Sequence, residues 1–198
     1  MPTPARIVFA SGNAGKVREI KALLGDSVEL VLQGDLGIAG AEETGTTFTA
    51  NALLKARHAA AESGLPALAD DSGLQVDALD GAPGVHSARY AGEDAGDTDN
   101  LNKLLLEMQG IADRSARFCC VLAYVRSATD NDPVIAAASW EGSIAELPSG
   151  EGGFGYDPVF IDAGSGVVSA EMPAAEKNVL SHRAKALSIL QEKLCGIL

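Results

Sequence analysis

The sequence predicts an α/β fold: a mixed central sheet flanked by helices. Three observations carry this. Short apolar strands alternate with amphipathic helical stretches early in the chain, two long strand patterns flank a polar turn later, and the C-terminal stretch returns to helical spacing. Arg6–Ala10 reads as a buried strand. Val17, Ile20, Leu23 and Leu24 share one helical face, so Lys16–Leu24 reads as a helix stopped at Gly25. Val28–Leu32 is a second strand. Thr47–Ser63 is an Ala- and Leu-rich helix ending at Gly64-Leu65-Pro66. A strand from Pro66 to Ala69 follows, and Leu74–Leu79 is expected to pair nearby before the turn Asp80–Gly84. Thr98 is expected to cap a helix Asp99–Met108 closed by Gly110. Ala116–Arg126 and Val134–Glu146 read as paired strands across the turn Ser127–Pro133, so the sheet is not purely parallel. A Gly-rich loop, Ser149–Tyr156, leads into Pro158–Ile161. Last comes a helix capped by Ser181, with Ala184, Leu187, Leu190 and Leu194 on one face.

Residues 1–198 form one expected domain with room for two lobes, and an apolar fraction of 46% supplies a core. The three cysteines include an adjacent pair, Cys119 and Cys120, that points to opposite faces of a strand and forms no ordinary bridge. An odd count without framework spacing suits a reducing compartment. Met1–Ala5 carries no signal pattern and no apolar run reaches membrane-spanning length, so a cytoplasmic protein without membrane partners is expected. A net charge of −12 argues against binding DNA or RNA. It leaves room for a small anionic ligand in a locally basic pocket.

Five segments carry candidate chemistry. Ser11, Gly12, Asn13, Ala14, Gly15 and Lys16 lie between a strand and a helix, where free backbone N–H groups attract anions. They do not make a Walker A loop, since Ala10 and Val17 stand where that motif needs Gly and Ser/Thr. A tight turn capped by Asn13 is the structural alternative. In Asp70-Asp71-Ser72-Gly73, two carboxylates follow an apolar strand, at the end of which α/β ligand sites lie. One could hold a hard divalent cation and orient water, or the four could be a hydrogen-bonded turn. Glu42 and Glu43 precede the helix carrying Asn51 and Lys55, which share a face. Their negative charge at its N-terminus has a structural account as well. Gly150, Gly152, Gly153, Phe154, Gly155, Tyr156 and Asp157 combine close backbone approach with a stacking ring; a flexible hairpin loop is the alternative. Finally, His182 and Arg183 fall in the first turn of a helix, where cations oppose the dipole by ~0.3–1 kcal/mol each. Such broken local rules point to function. The segment His86–Tyr90 lacks an elbow or triad spacing, and packing accounts for it.

In this order the stretches SGNAGKVREI, EETGTTFTANALLKARHAA, ALADDSGLQVDALDGAPGVHSARYAG, EGGFGYDPVF and EKNVLSHRAKAL resemble the inosine/xanthosine triphosphate pyrophosphatase family, bacterial branch, from Ile7 to Leu190. Ser11 and Glu151 stand where many members have Thr. The resemblance implies an elongated α/β fold with a long mixed sheet, two lobes with a cleft between them, and a homodimer. It implies a purine nucleoside triphosphate substrate and Mg²⁺ as cofactor. Ser11 to Lys16 would hold the triphosphate. Asp71 would be general base and metal ligand, with Asp70 assisting, Ser72 on substrate and Glu43 (or Glu42) as second metal carboxylate. Lys55 would face phosphate, and Phe154, Gly155, Tyr156 and Asp157 would bracket the purine. Lys177, His182 and Arg183 would read its 6-keto edge. The implied reaction is in-line water attack at the α-phosphorus of ITP, dITP, XTP or dXTP, with pyrophosphate leaving. Two rivals stand beside it: a pyrophosphatase for pyrimidine nucleotides, and a nucleotide sensor without catalysis, which the Asp pair disfavours.

Overall fold

A computed structural model describes residues 5–24 and 28–195. Six strands form one mixed sheet in the order β2-β1-β3-β4-β5-β6: β1 Ala5–Phe9, β2 Val28–Leu32, β3 Ala67–Val76, β4 Ser115–Val125, β5 Val134–Ile144 and β6 Phe160–Asp162. β1 pairs in parallel with β2 and β3, whereas β5 and β6 are antiparallel. The helices are α1 Ala14–Leu24, α2 Phe48–Ser63, α3 Asp97–Glu107, α4 Ala174–Leu180 and α5 His182–Leu194. The expected α/β class is therefore observed. Gly25, the expected stop of α1, lies outside the described residues, as do Met1 to Pro4.

The chain divides into two compact units. The first runs through Asp71 and adds Cys120–Ala138 and the chain from Arg183; the second holds Ser72–Cys119 and Ser139–His182. In the first unit the period-2 alternation of strands sorts two apolar layers. Ile7, Phe9, Leu68, Cys120 and Leu122 pack with Ile20 of α1 and Leu187 and Leu190 of α5. Val8, Ala67, Ala69, Val121 and Ala123 face the other way, onto the alanine face Ala52, Ala56, Ala59 and Ala60 of α2. Fully burying a Leu or Phe stabilises by roughly 1.5–3 kcal/mol, so these layers fix the register of the strands. By the same alternation Asp70 continues the Leu68 side, toward α1 and α5, and Asp71 continues the Ala69 side, toward α2. The second unit packs Leu74, Val76, Leu101, Leu104, Phe118, Trp140 and Phe160 together.

Four local expectations are corrected. The segments expected as separate strands around Asp70-Asp71 are one ten-residue strand, β3, running through both carboxylates. It does so because both are paired with cations rather than turned out to solvent. The β1 partner nevertheless ends at the Phe9–Leu68 pairing, so the Asp pair still lies beyond the end of that neighbour. α3 starts at Asp97 rather than Asp99: Gly96 is the cap residue, and the Asp99 carboxylate accepts from its N–H at 3.0 Å. A short helix, α4, stands before Ser181, which sits extended between it and α5, at the position expected for the cap of the last helix. The Pro158–Ile161 strand begins only at Phe160, because Asp157–Val159 form a 3-10 turn. Thr47 caps α2 as its Oγ1 accepts from the Ala50 N–H, and Gly64 ends it in the left-handed region.

Candidate active site

The loop after β1 is built by its own side chains. Ser11 Oγ accepts from the Asn13 N–H at 3.2 Å, and Asn13 Oδ1 accepts from the Lys16 N–H at 3.0 Å, capping α1. Gly12 and Asn13 are exposed, Ala14 and Gly15 open the helix, and a Cβ on Gly12 would meet nothing within 4 Å. A cavity of about 530 Å³ borders this loop, lined by Ser11, Gly12, Ala14, Val17, Gln33 and Ile38 among others.

Lys16 reaches from α1 to Asp70 Oδ1 in a direct ion pair. Asp70 Oδ2 accepts from Arg183 Nε at 3.0 Å and from the Cys120 thiol at 3.1 Å. The Arg183 guanidinium also pairs with Glu19, one turn after Lys16 on α1. Asp70 is 1% and Arg183 2% exposed. Burial pushes the Asp70 carboxyl up, but the Lys16 and Arg183 charges outweigh it and hold the group well below the usual carboxylate range. Burial, then the Asp70 charge, pushes the Cys120 thiol well up. Cys120 and Arg183 therefore form, with the half-buried Lys16 and Glu19, a charged network around the buried Asp70.

Asp71 has a different environment. Lys55 of α2 donates to Asp71 Oδ1 at 2.6 Å and to Glu43 Oε1 at 2.8 Å. Asp71 Oδ2 is buried and has no hydrogen-bond partner among the described residues. Burial raises the Asp71 carboxyl above its ordinary value against the opposing pull of Lys55. The Lys55 ammonium, which burial would lower, is raised by Asp71 and Glu43. Glu43 is brought there by the loop before α2, where Gly45 gives its N–H to Asn51 Oδ1 at 2.8 Å. A Cβ on Gly45 would lie 2.8 Å from that of Ala50, so only glycine fits. Glu42, by contrast, is exposed. Two carboxylates converging on one ammonium, one with an unused buried oxygen, are a donor set that a hard divalent cation fits; such ions take one or two protein carboxylates and complete their shell with phosphate and water. Ser72 follows as the next, half-buried residue of β3.

A second cluster belongs to the second unit. Asp157 is 3% exposed; its Oδ2 accepts from Lys177 Nζ at 2.6 Å and from the Phe154 N–H at 2.8 Å, and its Oδ1 from Ser169 Oγ at 2.7 Å. The Lys177 ammonium lies 5.5 Å from the centre of the half-buried Phe154 ring. Gly153 has φ +79, and a Cβ there would collide with the Asp157 carboxylate. Gly155 donates to Asp97 Oδ2 at 2.7 Å. Tyr156 is buried in the core and donates to the Ser87 carbonyl at 2.9 Å, so its ring packs the loop from beneath. His182 opens α5 with its ring stacked on Phe118, centroids 4.9 Å apart.

Sequence reasoning missed Glu19, Cys120, Asp97 and Ser169. Glu19 stands three residues after Lys16 and so on the same helical face, a signal that was there to use. Cys120 gave none beyond an apolar strand, and Asp97 and Ser169 look like ordinary loop polar residues.

The Ham1 family model matches residues 7–193. A dITP/XTP pyrophosphatase of Methylococcus capsulatus is 56% identical over 192 residues, covering 96% of each chain. The dITP/XTP pyrophosphatase of Escherichia coli strain K12 is 54% identical over 96% of this chain and 98% of its own. Among solved structures, a HAM1 protein from Coxiella burnetii superposes with a TM-score of 0.90 at 45% identity, covering 97% of this chain and 99% of that one. A nucleoside-triphosphatase / dITP/XTP pyrophosphatase from Mycobacterium abscessus gives 0.75 at 41%, covering 93% and 98%. The resemblance carried by the five motifs thus extends over residues 7–193 and to the backbone, and the chain belongs to the Ham1 family.

Proposed function

We propose that this chain is a nucleoside-triphosphate pyrophosphatase that hydrolyses non-standard purine nucleoside triphosphates, ITP, dITP, XTP and dXTP, to monophosphate and pyrophosphate. The observation that carries the mechanism is the unequal state of two adjacent carboxylates. Both oxygens of Asp70 are engaged by Lys16, Arg183 and Cys120, whereas Asp71 keeps a buried oxygen without a hydrogen-bond partner among the described residues. Asp71 is therefore the residue able to orient and deprotonate water, and Asp70 the residue that fixes Lys16.

The triphosphate is taken by the N–H groups and side chains of Ser11 to Lys16 and by Lys55. An ammonium has three donors, so pairing with a carboxylate does not exhaust Lys16 or Lys55. Asp71 and Glu43 would hold Mg²⁺, and Ser72 contacts substrate. When bound, that ion supplies charge neutralisation on the phosphate oxygens. The residues' own contribution is positioning and electrostatics: Asp71 takes the proton of a water in line with the α-phosphorus, and the lysines balance charge as pyrophosphate leaves. The purine is stacked by Phe154, bracketed by Gly155, Tyr156 and Asp157, and read at its 6-keto oxygen by Lys177 and His182. Arg183 acts through Asp70, as its guanidinium is on Asp70 and Glu19. An adenine amino group would leave buried donors unpaired, at roughly 1–3 kcal/mol each.

We also infer one catalytic domain over the whole chain, a homodimer, and a cytoplasmic setting. The three free thiols support the last, and no helix among the described residues is long and apolar enough to cross a membrane. The test is a panel of ITP, XTP, dITP, dUTP and ATP with product identification, with and without EDTA. Pyrophosphate from ITP that stops with EDTA is expected; a preference for dUTP, or phosphate as the product, overturns the reading. Sedimentation tests the dimer.

A further inference from the structure

The Gly-rich loop of the second unit lies on a short segment outside all five motifs. After β6 the chain returns through the bridge between Ile161 and Val168 and enters a 3-10 turn at Ser169. The next carbonyl, of Ala170, accepts from the Gly152 N–H at 3.0 Å. A Cβ on Gly150 or Gly152 would come within 2.7 Å of that backbone, so the loop is seated directly on residues 169–170. Ser169 is 1% exposed, and its hydroxyl is the partner of Asp157 Oδ1 at 2.7 Å. The other oxygen of the same carboxylate holds the Lys177 ammonium and the Phe154 N–H.

We propose that Ser169 is a positioning residue for base recognition. Its hydroxyl fixes the rotation of the Asp157 carboxylate, and through it the Lys177 ammonium and the Phe154 ring. The inference rests on the proposed reading of the 6-keto purine by this cluster. It adds that discrimination depends on a serine that touches no substrate. A hydrogen bond to an ionised carboxylate is stronger and more directional than a neutral one. With Ser169 removed, the buried Oδ1 loses its donor, and the carboxylate turns to recover one from its two remaining partners. Lys177 is then drawn off the position from which it meets a keto oxygen, and the Phe154 backbone loses its anchor. The reacting atoms at the α-phosphorus are served by the other cluster. Binding of the base is therefore expected to suffer, and turnover at saturation is not.

The experiment is steady-state kinetics of Ser169→Ala and Ser169→Thr with ITP and ATP. For Ser169→Ala the KM for ITP is expected to rise about tenfold, with kcat unchanged within about twofold. The ratio of kcat/KM for ITP over ATP is expected to fall by about the same factor. Ser169→Thr, which keeps the hydroxyl, is expected to retain the wild-type ratio. Should the alanine variant not fold, Ser169→Cys, of similar size and a weaker donor, carries the same expectation. An unchanged KM and ratio in the folded Ala or Cys variant overturns the proposal, as does an equal loss in Ser169→Thr. Lys177→Met separates the two levels. If it leaves the ITP/ATP ratio intact, the base-reading cluster itself is misassigned; if it erodes the ratio while Ser169→Ala does not, only the role of Ser169 falls.

Discussion

Arg183 and Asp70, 113 positions apart in sequence, form a buried ion pair in which Nε lies 3.0 Å from Oδ2. The pair ties the start of α5 to β3 beside the Lys16 contact. It also answers why a cation is tolerated in the first turn of a helix: the opposing dipole is outweighed by two carboxylates, Asp70 and Glu19, in a site with little water to screen them.

Asp70→Asn is expected to destabilise the protein by roughly 3–5 kcal/mol, since the buried Arg183 and the half-buried Lys16 lose their shared partner. The pH dependence has a definite sign. The folded carboxyl is held well below 3.8, so its contribution is full above the unfolded value and is lost as pH falls through the depressed folded one. Urea titrations of both proteins from neutral pH down to pH 2 check this: the stability difference is expected to shrink only below about pH 4. A difference that stays constant through this range would show that folding does not depress the Asp70 carboxyl.

Asp71→Asn is expected to lower kcat by about 10²–10⁴-fold while leaving nucleotide binding measurable. Because burial raises the Asp71 carboxyl above 3.8, the acidic limb of kcat/KM is expected above that value, activity falling as pH drops through it. A pH–rate profile of the wild type, beside the residual rate of the variant, measures both. Near-normal turnover in Asp71→Asn removes it from the mechanism.

Lys55 sits on the two carboxylates proposed for the metal, so ammonium and cation compete for the same oxygens. Lys55→Met is expected to bind Mn²⁺ or Mg²⁺ about tenfold more tightly without nucleotide, a difference of about 1.4 kcal/mol, and to turn over ITP more slowly. Calorimetry on the nucleotide-free proteins decides it; equal or weaker affinity in the variant means the ion is held elsewhere.

Lys177→Met is expected to erode the preference for ITP over ATP by about 10–100-fold. Competition kinetics with both nucleotides give the ratio directly.

How much was legible in the sequence follows from the range of the forces involved. α2, with its Ala- and Leu-rich span and Gly64 stop, was readable because composition and stop signals are local. β3 was not, because a strand interior holding two adjacent carboxylates is stable only with Lys16, Arg183 and Lys55 already in place. The motifs named the segments whose side chains pair in the two clusters, yet the different pairings of Asp70 and Asp71 depend on which helix each strand face meets. Asp70 looks to α1 and α5 and is used up there; Asp71 looks to α2 and is not. Ser169 had no local signal at all, since its partner Asp157 is twelve positions away across a loop.

Trp140 is the chain's single tryptophan. It is 1% exposed, donates to Asp162 Oδ1 at 2.7 Å, and has the His182 ring stacked 6.5 Å away at 18°. The molecule thus carries an intrinsic optical reporter of the packing around His182, one of the side chains proposed to read the base, with no second indole to dilute the signal and no label required.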